Sequence, residues 1–281
     1  MKKGLILFLK GIVLGIAFII PGVSGGTLAV LLGIYEELLD KVSNFYKSKK
    51  NFIDTVKYML PLGMGVLASI AICAKIIGIG LEKAPIVTLL IFLGLIIGGL
   101  PKLFKGASKK PGIKEIIFML IGIVLVVVMA LMDKSGTTVT LANMDTKGYI
   151  LLFLVGMIAS ATMVIPGISG SFTLMLLGYY EPVLGVVNNI VALTNLKQNI
   201  LIMIPFLIGV ILGIILISKI INYLLKKYPN EVYYAILGFV LSSVFSVFYQ
   251  VFTYDFNLTH LIIGLILMII NSILISKVFK D

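Results

Sequence analysis

Pro21-Gly-Val-Ser-Gly-Gly-Thr-Leu-Ala-Val-Leu-Leu-Gly-Ile-Tyr-Glu36 recurs in mid-chain as Pro166-Gly-Ile-Ser-Gly-Ser-Phe-Thr-Leu-Met-Leu-Leu-Gly-Tyr-Tyr-Glu181. Nine of the 16 positions are identical without a gap, and they include Pro, Gly, Ser, Tyr and Glu. Shared hydrophobicity does not produce such a match. The correspondence continues at an offset of 144 residues, pairing Pro61 with Pro205, Gly65 with Gly209, Lys75 with Lys219, Pro85 with Pro229 and Gly94 with Gly238. The chain reads as a duplication with halves at 1–132 and 149–281, joined by a polar linker at 133–148.

The surrounding composition sets the solvent. Of 281 residues, 60% are hydrophobic and only 12% charged, with a mean hydropathy of +1.16. Soluble domains are about 45–50% apolar and about 25% charged. A soluble enzyme, a disordered chain and a nucleic-acid-binding module are therefore excluded. The net charge of +11 does not restore the last of these, because the positive charges lie in short loops between apolar runs. Every one of the 23 basic residues is Lys, so no bidentate Arg clamp on phosphate or carboxylate is available. One Cys (Cys73) and one His (His260) exclude a disulfide framework and a Cys/His metal site. Lys2 and Lys3 before an apolar run ending near Ile20 imitate a secretory signal. Lys10 interrupts that run, however, and no small-x-small cleavage site follows. The N-terminal segment is expected in the mature protein.

A membrane helix needs about 20 apolar residues. Residues 58–80, 86–101, 113–132, 200–221, 231–250 and 260–277 meet or approach that length. The segments flanking the repeated motif are shorter and broken, at 4–20 and 27–39 and again at 149–165 and 172–187. Each pair reads as a re-entrant hairpin of two half-helices, which irregular backbone permits only where protein or water surrounds it. The expected fold is an all-α polytopic membrane protein of two inverted-topology repeats, each a hairpin plus three transmembrane helices. With both termini cytoplasmic, 18 lysines fall inside and four (Lys83, Lys134, Lys147 and Lys197) outside, as the positive-inside rule requires. The expected location is the cytoplasmic membrane. An odd number of crossings per half makes the halves inverted, whether or not the hairpins span.

At each tip the chain turns and starts a helix, at about Thr27 in the first copy. Gly25 and Gly26 leave backbone N–H groups uncovered, while Ser24 and Thr27 add hydroxyls. A helix N-terminus carries roughly half a positive charge. The first tip (Gly22, Val23, Ser24, Gly25, Gly26, Thr27) and the second (Gly167, Ile168, Ser169, Gly170, Ser171) therefore read as two halves of an anion cradle near the midplane. Inverted repeats with broken helices at a central site are a transporter pattern. The competing reading is that the small residues only let helices pack closely.

Paired Pro-Gly-x-Ser-Gly motifs, each followed by Leu-Leu-Gly-x-Tyr-Glu, resemble the PopT-type polyprenyl-phosphate transporter family over nearly the whole chain. The resemblance implies translocation of undecaprenyl phosphate or a related polyprenyl phosphate, from outer to inner leaflet, for carrier recycling in envelope synthesis. It implies a lipid transporter, with no catalytic residues and no resident cofactor. This chain departs from an ideal duplication at Gly26/Ser171 and Thr27/Phe172, so the second tip is bulkier.

Further candidates are symmetry-matched pairs. Glu36 and Glu181, expected about three turns along the second half-helices, are candidates for proton or sodium coupling or gating. The alternative places both in the interface. Lys75 and Lys219 either attract the head group or snorkel to opposite faces. Tyr35 and Tyr180 read as interfacial anchors. The partners expected are the lipid substrate and the bilayer, with no nucleic acid; the oligomeric state is not legible. A transporter or channel for a small inorganic anion is the main rival. Gly22-Val-Ser24-Gly25 also matches a short intramembrane serine-protease motif, but one His cannot serve two equivalent serines.

Overall fold

The computed structural model describes residues 2–20, 24–107, 110–132, 139–141 and 144–278. Pro21, Gly22 and Val23 of the first motif, and half of the polar linker (133–138 and 142–143), lie outside the described residues. Within them the regular structure is helical throughout. The first half contains α1 (Lys2–Ile19), α2 (Gly25–Leu31), α3 (Tyr35–Asn44), α4 (Lys49–Lys83), α5 (Pro85–Gly106) and α6 (Ile113–Leu131). The second contains α7 (Thr146–Val164), α8 (Gly170–Leu176), α9 (Tyr180–Val191), α10 (Leu196–Lys227), α11 (Pro229–Val251) and α12 (Leu258–Val278).

Among the described residues six helices are long and apolar enough to cross a membrane: α4, α5, α7, α10, α11 and α12. Five of these contain crossings expected from the sequence. The expected crossing at 113–132 is α6, an unbroken apolar helix of 19 residues. α7, read from the sequence as a hairpin arm, also runs 19 residues, because Pro166 falls just beyond its last turn. At 35 residues α4 is about 52 Å long, far more than the ~30 Å hydrocarbon layer. Its first turns, bearing Lys49, Lys50 and Lys57, therefore project into water.

Local chemistry sets the helix ends. Ser48 accepts the Asn51 N–H at 3.1 Å to start α4, and the Asp145 carboxylate accepts the Gly148 N–H at 2.8 Å to start α7. Pro85 and Pro229 begin α5 and α11, where a missing N–H costs nothing. The arms after the two tips differ from the expected single helices over 27–39 and 172–187. Gly33 (φ +65°) separates α2 from α3, and Gly178 (φ +76°) separates α8 from α9. In each case the glycine caps the first helix in the left-handed conformation: Gly33 N–H donates to Val30 O, and Gly178 N–H to Met175 O. The chain then bends, by 115° between α8 and α9.

Glycine notches pair the helices. Gly11 and Gly15 of α1 sit on the α4 backbone at Leu62 and Val66, so the two helices advance in the same direction. Gly156 on Phe206 and Gly213 on Met157 pair α7 with α10 in the same sense. Gly94 on Met268 and Gly98 on Ser272 join α5 to α12, and Gly238 on Met119 joins α6 to α11. Because α1 and α4 run the same way, α2 and α3 must carry the chain back before α4 begins. The larger core gathers α1–α5 and α11 around Leu28, Leu31, Leu89, Leu90, Leu93 and Val240. A smaller one joins α7, α9 and α10 around Leu152, Val186 and Phe206.

A side chain at Gly238 would press on the Met119 carbonyl, whereas a Cβ at Gly63 meets open space. Gly238→Leu is therefore expected to cost about 1–3 kcal/mol by overpacking, or to prevent folding. Gly63→Ala is expected to leave stability unchanged or raise it by up to about 1 kcal/mol. Thermal unfolding in detergent measures both.

Candidate functional site

The two tips meet. Gly167 donates its N–H to Thr27 Oγ1 at 2.8 Å, and Tyr35 donates its hydroxyl to the Val164 carbonyl at 3.1 Å. A Cβ on Gly26 would sit 2.9 Å from Val164 O and 3.1 Å from Pro166 N, so the first tip rests directly on the backbone of the second. Gly167 has φ +82° and lies against the Phe239 carbonyl, which excludes larger residues. Gly26, Gly167 and Gly170 thus serve close packing, as the competing sequence reading holds. The Thr27 hydroxyl and the Gly167 N–H satisfy each other.

The serines behave differently. Ser24 is only 2% exposed, yet among the described residues its hydroxyl has no hydrogen-bond partner and forms no helix cap. A buried unpaired hydroxyl costs about 1–3 kcal/mol, so its retention calls for an explanation. On the second tip Ser169 Oγ and Ser171 Oγ share a 2.8 Å hydrogen bond. The Ser169 carbonyl accepts both from the Thr173 N–H at 3.0 Å and from the Thr173 hydroxyl at 3.2 Å, which holds the start of α8 in place.

A cavity of about 370 Å³ lies between the tips. Its polar wall is Gly25, Ser169, Gly170, Ser171 and Tyr180, and its apolar wall includes Phe18, Ile70, Met163 and Met175. Ile168 also lines it. No charged side chain lines it among the described residues. The bulkier second tip therefore faces the cavity, while the first is largely packed away. α2 packs on α5, α7 and α11, whereas the close backbone neighbours of α8 among the described residues are α7 and α9.

A polar cluster closes one end of the bundle, where α3 packs along α10. Asn222 Nδ2 donates to Ser43 Oγ at 2.7 Å and to Asp40 Oδ1 at 3.2 Å, and Lys226 Nζ donates to the same carboxylate oxygen at 3.1 Å. Lys219 stands over the Tyr46 ring at 4.4 Å from its centre. Under the duplication Asp40, Ser43, Asn222 and Lys226 correspond to Gly185, Asn188, Gly78 and Glu82. These lie on α9 and α4, which make no contact, and Gly78 and Gly185 both face open space.

The remaining candidates fall away from the cavity. Glu36 and Glu181 are exposed and occupy the first turns of α3 and α9, not a third turn of a longer arm, because the glycine breaks intervene. Glu37, beside Glu36, pairs with Lys3 at 3.0 Å. Tyr180 is a cavity wall and Tyr35 a buried brace, so neither is a simple interfacial anchor. Lys75 is exposed on α4, and Lys219 is held at the far end against Tyr46. Sequence reasoning missed the cluster of Asp40, Ser43, Asn222 and Lys226. Its legible signal was Asn222, a polar residue inside the apolar run of α10.

The helices and their packing define a class: a multi-pass helical membrane protein whose two motif tips meet beside a cavity. The chain belongs to the undecaprenyl phosphate translocase-like family, whose model matches residues 14–261. It is 34% identical over 271 residues to a protein of Staphylococcus aureus named polyprenyl-phosphate transporter, covering 94% of this chain and 92% of the relative. It is 31% identical over 248 residues to a protein of the same name from Vibrio cholerae, covering 84% and 75% respectively. These matches confirm the family resemblance read from the paired motifs. No solved structure matches the chain.

The cluster between α3 and α10 has a definite pH signature. Burial pushes the Asp40 carboxyl up, but hydrogen bonds from Lys226 and Asn222 and the charges of Lys226 and Lys41 outweigh it, leaving the group below its ordinary 3.8. A depressed carboxyl stabilises the contact above the ordinary value and releases it as pH falls through the lowered one. The half-exposed ion pair is worth about 0.2–1 kcal/mol. Losing Asn222 instead removes two donated hydrogen bonds, to Ser43 Oγ and Asp40 Oδ1, each worth about 0.5–1.5 kcal/mol, while Ser43 keeps its bond to the Asp40 carbonyl at 3.2 Å. The distance between spin labels at Lys47 and Tyr223 is expected to hold constant from neutral pH to about 4 and to lengthen below it. Asn222→Ala should lengthen it more than Lys226→Ala at neutral pH.

Proposed function

We propose that this protein carries undecaprenyl phosphate, or a related polyprenyl phosphate, from the outer to the inner leaflet of the cytoplasmic membrane by alternating access around the two tips. The observation that carries this reading is the cavity between them, polar along one wall with hydroxyls and glycine backbone and apolar along the other. A phosphate monoester bears about −1.5 to −2 charge and cannot cross hydrocarbon unaided. Ser169 and Ser171 bind the head group in this arrangement, with Gly25, Gly170 and the first N–H groups of α2 and α8 beside them, and the buried Ser24 hydroxyl joins them when the first tip undocks. The names of the relatives support the substrate class.

In this reading the halves 1–132 and 149–281 are inverted repeats, and α1–α2 and α7–α8 are re-entrant hairpins with their tips inside the bilayer. The end closed by α3 and α10 carries Lys41, Lys47, Lys226 and Lys227 and is cytoplasmic by the positive-inside rule. The opposite end, where α9 stands apart from α4, opens towards the outer leaflet. Transport exchanges the two arrangements: α3 leaves α10 as α9 closes on α4. Lys75 draws the head group to the open end, and Lys219 does the same at the inner end once it leaves Tyr46. A dianion in a cavity without cationic walls needs a compensating charge. Glu181, next to Tyr180 of the cavity wall, and its counterpart Glu36 bind the coupling proton or sodium ion, so that cation and phosphate favour each other's binding.

The direct test is reconstitution in liposomes with a short-chain polyprenyl phosphate, inorganic phosphate and chloride offered separately. Transport of the lipid is expected; movement of the inorganic ions alone would overturn the reading. Ser24→Ala removes a hydroxyl that stabilises nothing in the fold, so thermal stability should hold or rise. Lipid affinity should fall about 10–100-fold, the worth of about 1.5–3 kcal/mol for a hydrogen bond to a charged group. Ser169→Ala should weaken it likewise. Glu181→Gln should abolish the dependence of the rate on pH or sodium.

Alternation is tested by cysteine pairs in a Cys73→Ser background. A bridge between positions 43 and 222 should form readily and block transport. A bridge between 78 and 188, far apart here, should form only during turnover and also block it. Failure of the second pair to react under any condition would exclude the exchange.

A further inference from the structure

We infer that the seam between α6 and α11 is the lateral portal of the transporter, and that it binds the first isoprene units of the substrate tail. This rests on the polyprenyl-phosphate reading above. An apolar groove of about 130 Å³ runs between these helices, with Val126 and Ser242 in its floor and Leu131, Phe245 and Tyr249 on its rim. The floor is buried, Val126 at 5% exposure and Ser242 at 4%, while the rim is open, Phe245 at 60% and Leu131 at 77%.

Continuity with the head-group cavity identifies the occupant. A cleft of about 50 Å³ shares Val126 and Ser246 with the groove, and Ile168 and Ser169 with the cavity. Cavity, cleft and groove therefore adjoin in series, sharing Ile168 and Ser169 and then Val126 and Ser246 as walls, and the last is an apolar trough open to lipid. A ligand that fits it has an anionic head and a branched hydrocarbon tail in one molecule. The groove lies towards the C-terminal ends of α6 and α11, away from the α3–α10 cluster, and so belongs to the outer leaflet.

The corresponding seam in the first half is shut. Gly98, the counterpart of Ser242, lies against Ser272 and Ile275, and Ile275 is the counterpart of Leu131. Gly99 is covered by Leu31 of α2, and α2 packs on α5, whereas the backbones of α8 and α11 stay farther apart, with Phe172 and Ser246 lining the cleft between them. One seam is open where its twin is filled by its own tip helix. The portal thus opens and closes with the docking of α2 or α8, and it changes leaflet when the halves exchange states. Selectivity follows for the isoprene units next to the phosphate, with the rest of the tail free in lipid.

The test uses farnesyl phosphate carrying a diazirine on its terminal isoprene unit, with the protein in proteoliposomes. Labelling should concentrate on peptides spanning 126–131 and 242–249 and be suppressed by unlabelled farnesyl phosphate. A phosphatidylglycerol with an acyl-chain diazirine should label lipid-facing helices evenly. Equal labelling of the groove by both probes, or labelling that competitor does not suppress, overturns the inference. If farnesyl phosphate binds but labels other helices, only the portal fails; if it does not bind at all, the functional reading fails with it. Ser246→Phe, which plugs the junction, should reduce farnesyl phosphate binding by about tenfold or more. Competition by the tail-less methyl phosphate should be retained. Equal loss of both signals would mean that the cleft is not a tail site.

Discussion

Two chain breaks inside an apolar protein impose the governing constraint: every backbone N–H and C=O freed there must find a partner without water. Among the described residues the tips meet part of this demand by satisfying each other. Thr27 takes the Gly167 N–H, and Tyr35 supplies a proton to the Val164 carbonyl left open at the end of α7. These two bonds join residues 140 and 129 positions apart and lock the halves together at their weakest points. The rest follows from that docking. α2 is drawn into the core, Gly26 must lack a side chain, and α3 is carried to the end of the bundle, where Asp40 and Ser43 meet Asn222.

Docking one tip leaves the other undocked. The duplicated motif has the same turn chemistry twice, but Leu28 is fully buried while its counterpart Thr173 turns to bond the Ser169 carbonyl. Gly26 is pressed on backbone while its counterpart Ser171 faces the cavity. In the proposed cycle the alternative state repeats the same interfaces with the halves exchanged, so the two states differ by little in packing energy. They differ in their closing contacts. Asp40, Lys226, Asn222 and Ser43 bind one end, whereas Gly185, Glu82, Gly78 and Asn188 offer neither an opposite charge pair nor a matched amide–hydroxyl contact at the other. The asymmetry favours rest with the lysine-rich end closed.

Much of this was legible because repetition is a signal that hydrophobicity cannot counterfeit. The matched Pro, Gly and Ser residues located both tips, and apolar run length located α4, α5, α6, α10, α11 and α12. The arms after the tips were read too long. The glycine of Leu-Leu-Gly-x-Tyr-Glu is a helix terminator in the left-handed conformation, and that reading would have placed Glu36 and Glu181 in new first turns. Other features were not legible in principle. Nothing local distinguishes Thr27, which braces the second tip, from Ser24, whose hydroxyl is buried and unpaired; the difference lies in a residue 140 positions away. The contact of Asp40 with Asn222 spans 182 positions and requires the tertiary arrangement itself.

A chain without Arg is well suited to the task proposed for it. A cavity walled by guanidinium groups would hold a phosphate in bidentate, charge-assisted bonds. That depth of binding would slow release on the far side, since carriage requires a site strong enough to accept its cargo and weak enough to surrender it. Hydroxyls and backbone N–H groups bind the same oxygens with neutral donors, at roughly half the strength of charged ones. In the proposed cycle the missing charge arrives with the substrate, as a proton or a sodium ion on Glu181 or Glu36. Tight binding is thereby made conditional on the coupling cation and lost when it leaves. The same absence that excludes a permanent anion clamp makes the site a reversible one.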